Sequence, residues 1–139
     1  MLERKTVEND IYLLTKAFSL KIIQSYRYLT KERKEYVMSK QMLRSGTSIG
    51  ANVHEGKNAQ SRPDFCSKMN IALKEATETD YWIDLLHESD YINNIQYSLL
   101  TEDCKKIIAV LTKIVKSVRS SSGAWKLSFK KHRSSNINI

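Results

Sequence analysis

A chain of 139 residues, 41% hydrophobic and 27% charged, fits a single soluble domain that buries roughly two thirds of its unfolded surface. One Pro and four Gly provide too little punctuation for the repeated tight turns of a β sandwich or barrel. The formal net charge of +8 is unevenly placed: residues 1–103 carry 14 Lys or Arg against 15 Asp or Glu, whereas residues 104–139 carry nine basic residues and no acid, a pattern that points to a polyanionic partner.

The amino end, MLERKTVEND, lacks the apolar core of a signal peptide, and the longest apolar stretch, IIAVLTKIV, is short and broken by Lys113. A cytoplasmic protein with no membrane partner is expected. Cys66 and Cys104 fall within helical patterns and belong to no CxxC pair, so free buried thiols are expected rather than a disulfide or a metal site.

Apolar positions recur with helical spacing in four segments. The first runs Ile11, Leu14, Phe18, Ile22, Ser25, Leu29, with Thr6 or Asn9 available as cap. The second alternates steps of four and three through Met42, Gly46, Ile49, Val53 and Gly56. The third continues that rhythm through Phe65, Met69, Ala72, Ala76, Thr79, Ile83 and Leu86. It begins at SRPDF, where Ser61 can cap, Asp64 can close a capping box and Pro63 lies harmlessly in the first turn. The fourth runs Tyr97, Leu100, Cys104, Ile107, Leu111, Ile114, Val118, and SSSG then stops it. Seams that alternate three and four pack at shallow angles. With the short connections LTKER, NAQSR and SDYINN they predict an all-α fold, an up-down-up-down antiparallel four-helix bundle over residues 1–122 with a basic C-terminal tail over 123–139. Neither Gly nor Pro marks the boundary between the first two helices.

The second segment contains SGTSIGANVHEG, residues 45–56, where each interior Gly costs about 1 kcal/mol relative to Ala. Packing is expected to compensate, with Trp82 or Tyr81 filling the space that Gly46 and Gly50 leave. Beside the apolar seam runs a polar line, Ser45, Ser48, Asn52, Glu55. If buried it needs partners, and Glu75 and Glu78 are candidates, with Arg44 able to neutralise one of them. A buried polar network is therefore expected here.

Catalytic and metal patterns are sparse. HEGKN starts like the zinc motif HExxH but ends in Asn58, so the second ligand is missing. A carboxylate-bridged di-metal bundle wants an acid-x-x-His pair on each of two helices, and only Asp84 with His87 qualifies. His54, His87 and His132 stand otherwise unaccompanied, no nucleophile-base arrangement can be built from the spacing, and no phosphate loop exists. No enzyme, cofactor or metal is expected.

RSGTSIGANVHEG followed by SRPDFCSKMNIALKEATETDYWIDLL resembles the signature of bacterial four-helix-bundle proteins whose founding members are encoded in intervening sequences of 23S rRNA genes. The matching positions are Ser45, Ser48, Asn52, Glu55, Phe65, Ala72, Glu75, Glu78 and Trp82, and Gly50 departs from the Pro of many relatives. The resemblance implies a small helical bundle, usually a homo-oligomer and often a pentamer, with no established enzymatic activity. A group similar in fold, the accessory proteins of diversity-generating retroelements, implies a positively charged pentamer that binds nucleic acid and a reverse transcriptase.

On a helical wheel of the fourth segment, with Lys105 at zero, the core line spans about 180° to 260° and Lys105, Lys106, Lys113, Lys116 and Arg119 span about −40° to 100°. The tail extends this set with Lys126, Lys130, Lys131 and Arg133, interleaved with Trp125, Phe129 and His132. Cations that neutralise phosphates beside rings that stack on bases suit sequence-tolerant binding of RNA or single-stranded DNA. A protein-binding oligomeric adaptor, whose basic tail docks an acidic partner, is the alternative.

Overall fold

The computed structural model describes residues 10–120, which form four long helices: α1 (Ile11–Lys31), α2 (Met38–Glu55), α3 (Arg62–Glu88) and α4 (Asn94–Ser120), with one 3-10 turn (Gly56–Asn58) after α2. Each helix packs on the next in chain order, and α4 closes back on α1 over the least extensive of the helix contacts. The result is an all-α four-helix bundle with no strand among the described residues.

The seams form the core. Every seam position of the third segment is buried, and so are all five of the second, Gly46 and Gly56 included. In α4, Leu100, Cys104, Ile107, Leu111, Ile114 and Val118 are buried, while Tyr97 is only half-buried. Burying each large aliphatic or aromatic side chain in this way contributes about 1.5–3 kcal/mol. In α1 the buried line is Ile11, Thr15, Phe18, Ile22 and Leu29, so Thr15 occupies the place expected for Leu14. Its hydroxyl donates to the Ile11 carbonyl at 2.7 Å, which satisfies the polar atom inside the core.

Helix ends show where local chemistry overrides the simpler reading. Asp10 caps α1, its carboxylate accepting from the Tyr12 and Leu13 N–H groups at 2.9 and 3.1 Å. Thr6 and Asn9, the expected caps, lie outside the described residues. The α1–α2 link spans residues 32–37 rather than LTKER, because α1 runs on to Lys31. There Lys34 takes a left-handed φ of 54° in place of glycine. Buried Glu35 then does the capping of α2, accepting from Val37, Met38 and Ser39 N–H groups at 3.1, 3.0 and 2.7 Å. At α3 the Ser61 hydroxyl accepts from Asp64 N–H at 3.2 Å as expected, and the Asp64 carboxylate reaches the N–H of Gln60. At α4, Asn93 and Gln96 accept from each other's N–H, both at 2.8 Å.

The glycines of α2 admit α1, not an aromatic ring of α3. A Cβ added at Gly46 would lie 2.9 Å from Cγ1 of Ile22, and one added at Gly50 would lie 3.4 Å from Ser19 and Thr15. Trp82 instead donates to Glu78 within its own helix at 2.9 Å, and Tyr81 is exposed. Close approach of two helix backbones is thus what offsets the poor helix propensity of this stretch. Loops 32–37 and 89–93 meet at one end of the bundle, where the Arg33 guanidinium donates to the Asp90 and Tyr91 carbonyls, both at 2.9 Å, and lies over the Tyr91 ring.

Candidate nucleic-acid interface

The signature residues of α2 and α3 come together as an ion-pair cluster on the surface. Arg44 donates to Glu75 at 3.3 Å and to Glu78 at 2.5 Å, and its side chain is half exposed. The buried network expected here is therefore a surface one, because the helices turn Arg44 and Glu78 outward at the α2–α3 boundary. The Trp82 indole N–H, followed by the Arg44 guanidinium, holds the Glu78 carboxyl below its ordinary value. The Glu78 hydrogen bond is the leading cause that raises Arg44. Ser48 donates to the Arg44 carbonyl and Asn52 to the Ser48 carbonyl, both within α2, so neither contacts the carboxylates. Glu55 is exposed and pairs with Lys68 at 3.1 Å. Of the polar line only Ser45 is buried, and its hydroxyl accepts from Thr79 at 2.8 Å.

Cys104 is buried with its thiol donating to the Ala76 carbonyl at 3.3 Å, and desolvation pushes its pKa up to about 12. Cys66 is a free thiol too, but half-buried rather than buried. Asp84 and His87 do not converge on a shared point: Asp84 accepts from the Tyr97 hydroxyl at 2.9 Å, and His87 stacks on Tyr97 and meets Asn94 at 2.8 Å. The Asp84 bond raises the Tyr97 pKa. Among the described residues no three His, Cys, Asp or Glu side chains gather as a metal site would need, and no helix is long and apolar enough to cross a membrane.

The basic face of α4 is arranged differently. Lys105, Lys106, Lys113, Lys116 and Arg119 are all exposed, on the side opposite the core line. Lys105 leans toward Asp80 of α3 at 3.6 Å. Lys106, Lys113, Lys116 and Arg119 have no ion pair among the described residues. Long cationic side chains aligned along one helix and unpaired are available to phosphate oxygens without breaking any internal bond. The set was not complete from sequence spacing: Arg62, at the start of α3, donates to the Val118 carbonyl at 3.2 Å and brings a further cation to the last turn of α4. Lys126, Lys130, Lys131 and Arg133, with Trp125, Phe129 and His132, lie outside the described residues.

An open groove of about 680 Å³ runs between α1 and α2 and is lined by Tyr12, Thr15, Lys16, Ser19, Gly50 and His54 among others. The Lys57 ammonium sits 4.0 Å from the Tyr12 ring centre and His54 meets the same ring edge-on. It lies on a different side of the bundle from the basic face.

A model of the 23S rRNA-intervening sequence protein family matches residues 7–113. The chain belongs to that family. The match covers the helical bundle up to Lys113, so the 23S rRNA-intervening sequence family accounts for α1 to α3 and about the first three quarters of α4, whereas Lys116, Arg119 and everything after them lie beyond it. A solved structure similar to this family member is a protein of unknown function from the S23 ribosomal protein family of Bacteroides thetaiotaomicron, 49% identical, with a TM-score of 0.76, covering 78% of this chain and 97% of that one. No curated protein matches.

Proposed function

We propose that this 23S rRNA-intervening sequence family member is a non-catalytic, homo-oligomeric bundle that binds RNA or single-stranded DNA through α4 and the basic segment that follows it. The observation that carries the reading is the row of four exposed cations, Lys106, Lys113, Lys116 and Arg119, that no carboxylate of the described residues neutralises. An ordinary solvated helix face mixes both signs; this one carries no acid after Asp103. The contacts such a row makes are to phosphate, so affinity is sequence-tolerant and salt-dependent. Repetition of the row in a homo-oligomer, a pentamer by the resemblance drawn above, adds avidity. Exposed Leu13, Leu20, Ile95 and Leu99 supply apolar surface for contacts between copies.

Titrating the protein into labelled single-stranded RNA at increasing salt tests the reading. The logarithm of affinity should fall with the logarithm of salt at about 0.7 per phosphate contact. Changing Lys113, Lys116 and Arg119 to Ser should flatten that slope on every sequence tried, and removing residues 124–139 should flatten it further. Binding unchanged by both alterations would favour the adaptor reading, which the exposed leucines also support and in which the partner is an acidic protein; a reverse transcriptase is one protein partner consistent with either. Light scattering decides the assembly: a particle of 16.1 kDa at micromolar concentration rules out the oligomer.

A further inference from the structure

The exposed apolar side chains of α1 and α4 stand in two short lines. On α1, Leu13, Ala17, Leu20 and Gln24 step by four, three and four and are all exposed, Leu13 and Leu20 by 42% and 55%. At 100° per residue this line lies roughly 200° from the core line of Ile11, Thr15, Phe18 and Ile22, so α1 carries one seam inward and another outward. On α4, Ile95, Leu99 and Glu102 repeat the steps of four and three, all exposed, with Ile95 at 72% and Leu99 at 55%. Isolated apolar residues on a surface need no explanation. A stripe that alternates three and four is the pattern by which helices pack at shallow angles.

The charges that flank the two lines are opposite in sign. Helix α1 carries Lys16, Lys21, Arg27 and Lys31 and no acid. Lys21 is held by Asp103, whereas Lys16, Arg27 and Lys31 have no ion pair among the described residues. Residues 94–104 of α4 carry Glu102 and Asp103 and no cation, and Glu102 has no ion pair among the described residues. Two α1 lines set face to face would press cations on cations, and two α4 lines would press acids on acids. Of the three pairings, only α1 against α4 joins opposite charges. Leu13 and Lys16 also line the groove over Gly50, so the surface beside the α1 line is concave.

We propose that copies of this chain meet by laying the outward line of α1, Leu13 to Gln24, against the first half of the exposed face of α4, Ile95 to Glu102, of the next copy. The inference rests on the homo-oligomer reading above and adds to it which surfaces make the contact. Lys16 then faces an acid of its neighbour and is not part of the phosphate-binding row. The exposed face of α4 is thereby divided in two. Up to Glu102 it is apolar and acidic and meets a copy, and from Lys106 onward it is cationic, with no acid in residues 105–120, and stays open. Assembly and the basic row do not compete for the same residues.

Light scattering on variants of the full-length protein tests it. Leu99→Lys sets a cation against those of α1 and should raise the concentration at which the assembly half dissociates by about tenfold or more. Ile71→Lys, the same kind of change at an exposed apolar position of α3, should leave that concentration within about threefold of the parent. Helical circular dichroism confirms folding of each. In a Cys66→Ser background, a flexible bis-maleimide should join copies of the Leu20→Cys/Leu99→Cys variant and should join far fewer when either new cysteine is present alone. Equal weakening by both lysine variants, no weakening by Leu99→Lys, or single cysteines that cross-link as well as the pair, each in a parent that assembles, overturns the pairing while the homo-oligomer reading stands. A parent of 16.1 kDa at micromolar concentration overturns both.

Discussion

The α2–α3 signature and the basic face of α4 are both unusual in composition, but they differ in what the rest of the chain does with them. Each odd feature of the signature has an internal use. Gly46 and Gly50 let α1 approach, Ser45 accepts from Thr79, and Arg44, Glu75, Glu78 and Trp82 satisfy one another. On α4 the cations from Lys106 onward are bonded to nothing described within the chain. A residue spent on internal contacts is explained by stability, whereas a charge left without them is explained by something outside. Stability measurements should therefore separate the two regions, in the following descending order.

The largest effect is expected where α2 meets α1 most closely. Gly46→Leu forces a side chain into space held by buried Ile22 and should lower unfolding free energy by about 3 kcal/mol in a urea titration. Gly50→Ala is its control: its Cβ makes an ordinary 3.4 Å contact, so removing backbone freedom should raise stability by about 0.5–1 kcal/mol. A destabilised Gly50→Ala would mean that a Cβ at position 50 is not tolerated against α1. Next in size, Glu35→Ala leaves three N–H groups at the start of α2 without their acceptor, one of them on fully buried Ser39, and should cost about 2 kcal/mol by the same method.

Smaller again is the ion-pair cluster. With Arg44 and Glu78 this exposed, Glu78→Ala should cost about 1 kcal/mol or less rather than the several expected of a buried pair. Its folded carboxyl lies below the ordinary value, so the contribution is present above about pH 4.5 and is lost as pH falls through the folded midpoint. Trp82→Phe removes the leading cause and should move that midpoint upward in a carboxyl NMR titration. The smallest stability effect belongs to α4: Lys113→Ser with Lys116→Ser and Arg119→Ser should stay within about 0.5 kcal/mol of the parent. Any larger loss would mean the row has an internal role and would blur the contrast.

The seams were legible because burial follows a period that the sequence writes directly, and all seven positions from Phe65 to Leu86 lie in the core. Thr15 escaped because its hydroxyl disguises it as polar until the Ile11 carbonyl takes the proton. The signals of the α1–α2 link are unorthodox: a positive φ at a lysine and a cap supplied by a glutamate three residues before the helix. The reciprocal Asn93–Gln96 cap has the spacing of a capping box, with Asn and Gln in place of its usual residues. What fills the space over a glycine, and whether Arg44 is inside or outside, depend on how each helix is rotated about its axis, which periodicity alone leaves open.

In topological terms the molecule is a pair of helical hairpins, α1–α2 and α3–α4, and the chain itself joins them at one end alone. Arg33 supplies the missing link at the other end, strapping the first hairpin to the peptide carbonyls of the second and to the face of Tyr91. Two copies that traded hairpins would have to unfasten both straps before any new pairing formed. The guanidinium thus raises the barrier to hairpin exchange between molecules and keeps each chain's hairpins married to one another.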